Sequence, residues 1–498
     1  MTPNDFVFPP GATAPVALEA SRAFHASPEW RELLPYCGAL DAFIRAQPDG
    51  SRGPAPFRLG RAAAVSLSRL PPPEPSPRWT GDVVVVGECA RPAELELMRR
   101  LVGGLVASGR TVLYVFVNGL EERGLAAAAR AGGWGGRLTL AGIRTAEYAP
   151  GRYLRCPEAW RQREADWALL EPLLRGAGAH LGRDACVPLR EMALAKVQWR
   201  RLRAGLRFGA AVVRTRYLPL SAVLLADSLG SPHRTVSLQH SVVTSPASFA
   251  PIPARRYLCF GATSRSVLAA LDTDLAGRAG RDRICQELLP AGSLVDPIPE
   301  PCEPRRARTV LVVDQSSAWA SRYFGGGPAQ DHALLRAAEA LARTCRVLDR
   351  VLVRLHPARE AAARWSALAR RVGSRMELTP AGGALAEDLC RASVVVGLFS
   401  TVLPVAAAAG LPTMLLREEG GFLTPDLGGF VPRQVLAPEA LVDRVEAIMG
   451  SEASYDRERQ RSLAVGAGYF AGRRQCDFGP SFTERMLAPL DDSVPSSA

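Results

Sequence analysis

Short runs of β-branched residues alternate along this chain with longer segments of helical period. Val83–Val86 reads as a strand buried on both faces and closed by Gly87-Glu88-Cys89. A helix over Pro92–Ser108 and a strand over Thr111–Val117 follow, then a helix and a strand ending near Arg137–Leu140. Two longer helical stretches, 157–178 and 187–205, interrupt the rhythm. It resumes with a strand at Ala210–Val213, a helix near 218–229, and strands at Thr235–Leu238 and Tyr257–Phe260. The second half repeats the logic: strand Thr309–Val313, helix 328–345, strand Arg350–Leu355, and a helix near 437–450. Strand, helix, strand in this order predicts parallel sheets with right-handed crossovers.

The stretch Ala392–Leu416 carries no charge and on apolarity alone matches a membrane span. Its period changes twice, which argues for strand, helix, strand instead. Ser393–Val396 is a buried strand closed by Gly397. Ser400 and Thr401 supply helix-start chemistry for Val402–Ala409, Gly410 and Pro412 end that helix, and Thr413–Leu416 is a second strand. Pro404, Pro412 and mid-span hydroxyls are poor choices for hydrocarbon.

The expected fold class is α/β, two doubly wound Rossmann-like domains facing a cleft, with an N-terminal helical appendage. Residues 1–80 form that appendage, a helix from Ser27-Pro28-Glu29-Trp30 to about Ala46 followed by a Pro-rich linker. Residues 81–292 form the first Rossmann-like domain. Residues 293–307 are a linker, with four prolines among the nine residues Asp296–Pro304. The second domain spans 308–480, and 481–498 hold a helix and a tail expected to be disordered. At 498 residues the chain exceeds what one core supports.

Composition narrows the class further. At 47% hydrophobic and 22% charged residues the chain is globular rather than disordered. The net charge of +12 favours acidic partners, but nearly every cation is arginine in an Ala-, Gly- and Pro-rich chain, so compositional bias weakens that inference. A nucleic-acid partner is not expected, because no basic stripe interleaves with aromatics. Ten scattered cysteines form no metal-ligand spacing, so no metal is expected and a reducing, cytoplasmic setting is. The N-terminus lacks the basic and apolar segments of a signal peptide.

In doubly wound sheets ligands sit beyond the carboxyl ends of the strands, so the residues just after strands are the candidates. His356, between a strand and Pro357, suits a phosphate oxygen or a leaving group. Ser400 and Thr401 suit an anion at a helix start, with simple helix capping as the alternative. Gln315 and Ser316 suit backbone contacts to a phosphate, or a turn. In the first domain His240 and Glu88 are candidate bases for an acceptor; a loop lock and a solvated glutamate are the plain alternatives. Walker-type, GxGxxG and GxSxG motifs are absent.

Leu238-Gln239-His240-Ser241, Pro251–Gly261, Arg354-Leu355-His356-Pro357 and Phe399-Ser400-Thr401 through Gly410-Leu411-Pro412 together resemble GT-B glycosyltransferases of bacterial surface-polysaccharide synthesis. The nearest types are sialyltransferases and polysialyltransferases, Kdo-type capsule transferases and CDP-glycerol glycerophosphotransferases. The resemblance covers roughly residues 82–480. It implies a GT-B fold and places His356, Ser400 and Thr401 on the donor phosphate. Ser241 stands where those families usually have glycine. Val405 stands where many UDP- or ADP-sugar enzymes have a ribose-holding glutamate, which favours a CMP- or CDP-activated donor.

The resulting expectation is a nucleotide-sugar-dependent glycosyltransferase, inverting and metal-independent, acting in capsule or lipopolysaccharide synthesis. No cofactor is expected beyond the nucleotide-activated sugar substrate. The acceptor would be a glycan or lipid-linked glycan, with peripheral association at the inner face of the membrane left open. Two alternatives stand beside it: a CDP-alcohol polyol-phosphate transferase, and a non-catalytic GT-B-like glycan-binding or scaffold protein.

Overall fold

The computed structural model describes residues 14–37, 40, 44–45, 78–143, 153, 156–178, 180–181, 186–229, 231–243, 246–294, 297–300, 308–315, 327–356, 362–380, 383–417, 423–435, 437–470 and 475–490. The Pro-rich stretch before Arg78, most of the interdomain linker and the C-terminal tail lie outside them.

Seven parallel strands form the first sheet: β1 (Val83–Val86), β2 (Val112–Phe116), β3 (Leu138–Gly142), β4 (Ala210–Val213), β5 (Arg234–Leu238), β6 (Arg256–Cys259) and β7 (Glu287–Pro290). Their spatial order is β7-β6-β5-β4-β1-β2-β3. Six parallel strands form the second: β8 (Thr309–Val313), β9 (Arg350–Arg354), β10 (Met376–Thr379), β11 (Val394–Gly397), β12 (Thr413–Leu416) and β13 (Gln434–Val435), in the order β10-β9-β8-β11-β12-β13. Each sheet therefore runs outward from its first strand in one direction and then reverses. That is the doubly wound Rossmann order, with its switch point between β1 and β4 in one domain and between β8 and β11 in the other. The fold is the GT-B-like pair of Rossmann-like domains expected from the sequence.

The central strands β1, β4, β8, β11 and β12 are buried at every position, which is why they read as unbroken apolar runs. The less regular strands β7, β10 and β13 carry Glu, Pro, Thr or Gln and so show no unbroken apolar run.

The helices are α1 (Ala14–Ala26), α2 (Trp30–Cys37), α3 (Pro92–Ala107), α4 (Gly119–Ala131), α5 (Pro157–Gly176), α6 (Cys186–Arg203), α7 (Pro219–Ser228), α8 (Pro246–Phe249), α9 (Ala262–Arg278), α10 (Gly327–Thr344), α11 (Ala362–Val372), α12 (Leu385–Arg391), α13 (Val402–Ala408), α14 (Ala440–Met449), α15 (Glu452–Phe470) and α16 (Pro480–Leu487). The uncharged stretch is β11-α13-β12, and Leu403, Pro404, Val405, Ala406 and Ala407 of α13 are buried. α15 packs directly on α13: a Cβ added at Gly466 would come within 2.3 Å of the Ala408 nitrogen. Among the described residues no helix is long and apolar enough to cross a membrane.

The N-terminal region differs from expectation. The helix starting after Ser27 ends at Cys37 rather than Ala46, Ile44–Arg45 is a short strand, and α1 precedes it. These helices are part of the first domain's core. Phe24, Leu33, Leu34 and Tyr36 are buried, and the Arg281 guanidinium donates to the His25 and Ser27 carbonyls at 2.9 and 3.0 Å. At the other end, α16 also returns to the first domain, where Arg256 donates to the Met486 and Ala488 carbonyls and Arg100 to those of Cys476 and Leu294.

The chain holds a single lysine, Lys196, and it is buried. Its ammonium lies 2.7 Å from Asp166 Oδ1 and 4.9 Å from the centre of the Tyr36 ring, whose hydroxyl donates to the same carboxylate. Lys196 thus ties α2 to the α5–α6 pair. Removing one partner of a buried pair strands the other charge, so Lys196→Met is expected to cost about 3–5 kcal/mol. Urea denaturation checks this, and limited proteolysis should show earlier cleavage near α2.

Candidate functional site

In the second domain the strand register brings two candidate loops to one rim. Val313, the last residue of β8, pairs with Arg354 on one side and Gly397 on the other. His356 lies two residues beyond Arg354 and Ser400 three beyond Gly397, so both leave the sheet at its carboxyl edge on either side of β8. With strands about 4.8 Å apart, the two loops start about 10 Å from one another. Gln315 follows β8 between them and is half-buried, as are His356, Ser400 and Thr401. Ser316 lies outside the described residues.

Asp314 organises this rim. Its buried carboxylate accepts from the His356 backbone N–H at 3.1 Å, and the Gln315 backbone and the Trp365 indole also bond to it. Burial raises its pKa, and those donors oppose the rise. Below the rim, Arg354 pairs with Asp388 and donates to the Gly383 carbonyl at 2.8 Å, fixing the end of β9.

The Ser400 hydroxyl oxygen accepts from Val402 N–H at 3.2 Å, while Thr401 makes no side-chain cap. α13 has only seven residues, so its dipole adds little, and anion binding here would rest on the hydroxyls and loop amides. Val405 is fully buried in α13, in the domain core.

The first-domain switch point is crowded with polar side chains. Glu88 has φ +50, the left-handed region that a side chain rarely occupies. Arg214, at the end of β4, holds it there by donating to the Gly87 and Glu88 carbonyls, each at 2.8 Å, and lies 3.3 Å from the Glu94 carboxylate. Gly87 is required for a different reason: a Cβ there would sit 1.8 Å from the Tyr114 hydroxyl. The Glu88 carboxylate accepts from Leu220 N–H at 3.0 Å, Ser221 N–H at 2.8 Å and the Ser221 hydroxyl at 2.5 Å. Both oxygens are engaged at the start of α7, and Glu88 is buried rather than solvated. Burial lifts its pKa to about 7, against the Ser221 and Leu220 donors.

His240 follows β5. Its ring lies 4.7 Å from Tyr217 edge-on and stacks on Phe249 at 5.3 Å, and its Nε2 is 3.0 Å from the Ser241 hydroxyl. Burial, then the charges of Arg214, Arg216 and Arg91, push its pKa down to about 3, so the imidazole is neutral at pH 7. A serine at 241 therefore gives the ring a polar neighbour that glycine would not.

The two carboxyl edges meet through side chains that sequence reasoning missed. Asp426 and Thr424 follow β12 in the second domain. The Asp426 carboxylate accepts from Val243 N–H at 2.8 Å and from the Ser264 hydroxyl at 2.8 Å, both in the first domain, and from Tyr469 at 2.6 Å. The Thr424 hydroxyl donates to the Val243 carbonyl. The sequence signal available was a Thr-Pro-Asp turn shortly after a buried strand. No cluster of His, Cys, Asp and Glu suited to a metal occurs among the described residues.

Solved structures similar to the chain over most of its length include the following three. A glycosyltransferase from Rickettsia africae is 9% identical, with a TM-score of 0.45, over 83% of this chain and 100% of that one. MurG of Acinetobacter baumannii is 12% identical, with a TM-score of 0.42, over 82% and 99%. MnaA of S. aureus, a structure with UDP, is 9% identical, with a TM-score of 0.46, over 78% and 94%. No protein-family model and no curated protein matches the sequence.

The Glu88 environment has a measurable consequence. Between its ordinary pKa of 4.5 and about 7, the folded protein keeps a proton that the unfolded chain has lost. Stability from this group is therefore complete below pH 4.5 and falls as pH rises through 7, by about 3 kcal/mol. His240 and His25, whose pKa values are lowered, act in the opposite direction, so the comparison must be with a variant. Relative to Glu88→Gln, wild-type stability in urea should decline from pH 4.5 to 8. Parallel pH profiles for the two proteins would refute the assignment.

Proposed function

We propose that the chain is a nucleotide-sugar-dependent glycosyltransferase that inverts configuration without a metal and acts in bacterial surface-polysaccharide synthesis. The observation that carries this reading is the rim of the second domain. There a histidine and two hydroxyl residues leave the sheet on either side of β8 at its switch point, where α/β sheets bind nucleotides. The donor is a CMP-activated sugar in this reading. What supports this choice is the resemblance, which sets Val405 where many UDP- or ADP-sugar enzymes have a ribose-holding glutamate.

The proposed step is a single displacement. An acceptor hydroxyl oxygen attacks the anomeric carbon, the bond from that carbon to the nucleotide phosphate oxygen breaks, and the phosphate leaves with the electron pair. His356 donates a hydrogen bond or proton to the departing phosphate, and Ser400, Thr401 and the Gln315–Ser316 amides stabilise its charge. On the acceptor side, neutral His240 accepts a hydrogen bond from the attacking hydroxyl. Glu88, with a pKa near neutrality, is the carboxylate available as proton sink; reaching substrate requires it to release Ser221. The acceptor is a glycan or lipid-linked glycan, and the protein works in the cytoplasm or at the inner membrane face.

The buried Val405 also agrees with a polyol-phosphate transferase using a CDP-alcohol, so CDP-glycerol belongs in the test. In a thermal-shift panel of CMP, CDP, UDP, GDP and ADP, a cytidine nucleotide should raise the melting temperature selectively, because only the folded state binds it. Ser400→Ala should reduce that shift. With the donor so identified, His356→Ala should lower turnover by about 10²–10⁴-fold. A panel in which no nucleotide shifts the melting temperature would overturn the reading in favour of a non-catalytic GT-B-like protein.

A further inference from the structure

The loop that carries His240 belongs to the first domain, yet much of what holds it comes from the second. Gln239 is fully buried; its amide accepts from Phe260 N–H at 2.8 Å and donates to the Ser241 carbonyl at 2.9 Å and to the Ser264 hydroxyl at 3.1 Å. Ser264 passes the chain on, donating to Asp426 Oδ1. Four residues after Gln239, Val243 is gripped on both backbone groups, its N–H by Asp426 Oδ2 and its carbonyl by the Thr424 hydroxyl. His240 and Ser241 are thus spanned by two anchors that converge on one carboxylate of the other domain.

That carboxylate is fully enclosed. Asp426, Ser264 and Tyr469 are all at most 1% exposed, and Tyr469 packs on Phe260 at 5.9 Å and on Phe470 at 5.0 Å. Three donors on one buried carboxylate form a network whose members depend on one another, since an unmet donor in a dry interior is costly. Thr424 and Asp426 follow β12, the neighbour of the strand that leads to Ser400. The segment that follows a strand of the second domain's sheet therefore also grips the His240 loop of the first domain.

We infer that Asp426, assisted by Thr424, is an interdomain positioning residue: it sets the His240 loop of the first domain from the second, so that the acceptor side is formed only when the two domains are docked. The consequence for turnover rests on the transferase reading above; the mechanical link does not. Asp426 touches no reacting atom in this scheme. It acts through Val243, Ser264 and Gln239.

The test compares wild type with Asp426→Asn and Thr424→Val. Asparagine keeps the size of aspartate but lacks the charge, and it offers one acceptor oxygen to three donors. Two readouts follow the loop rather than global stability. One is the rate at which diethyl pyrocarbonate modifies His240, mapped by mass spectrometry, with His233 in the same chain as the internal reference. The other is hydrogen exchange of peptides covering 239–243. Both variants should show several-fold faster His240 modification and faster exchange in that peptide, with His233 unchanged.

If His240 modification and exchange match wild type in a folded variant, the link is refuted. Should Asp426→Asn fail to fold, Thr424→Val, which removes one hydroxyl, decides alone. With a donor in hand, both variants should lose kcat while CMP raises the melting temperature as in wild type. If no nucleotide binds but His240 is unmasked, the transferase reading fails and the interdomain link stands.

Discussion

A parallel strand covered by helices on both faces has no position at which a polar side chain can meet solvent. That constraint shapes both domains here. The central strands β1, β4, β8 and β11 are buried throughout, so polar chemistry is displaced to the residues that follow their last hydrogen-bonded pair. Because all strands of a sheet run the same way, those residues gather on one edge. The reversal of strand order then opens a crevice beside the first strand of each sheet.

The two edges use their polar groups differently. In the first domain they are largely spent on one another: Arg214 fastens the left-handed turn at Glu88, and Glu88 fastens the start of α7. Backbone strain of this kind persists only where surrounding contacts over-determine it, and it gathers at functional sites. In the second domain one buried carboxylate, Asp314, holds the rim, and His356, Ser400 and Thr401 keep partial access to solvent. His240 and Ser241 on the first edge are half-buried in the same way, beside a turn whose own polar contacts fix it.

Between them runs a polar seam. Asp426 joins the loops after β5 and β12, so the geometry of the cleft depends on a few buried hydrogen bonds as well as on apolar contact. The chain ends strengthen the same side: α1 and α2 at one end and α16 at the other both pack on the first domain. Part of the N-terminal region is therefore core, although its sequence, interrupted by Pro and Gly, resembles an appendage.

The sequence by itself determined the α/β class, the two doubly wound halves and the position of His356, Ser400 and Thr401 after strands. These are local consequences of period and of turn residues, and unbroken runs such as Val83–Val86 and Val394–Val396 leave little choice. Strands such as Met376–Thr379, whose polar residues interrupt the run, escaped the same reasoning. Only the tertiary structure decided which side chains are free to act. Glu88 reads as a solvated loop glutamate until Leu220 and Ser221, about 130 residues away, supply donors that bury it. Asp426 reads as a turn residue until Val243 and Ser264 arrive from the other domain. A side chain's pKa and access are set by neighbours remote in sequence, and hydrophobic period carries no record of them.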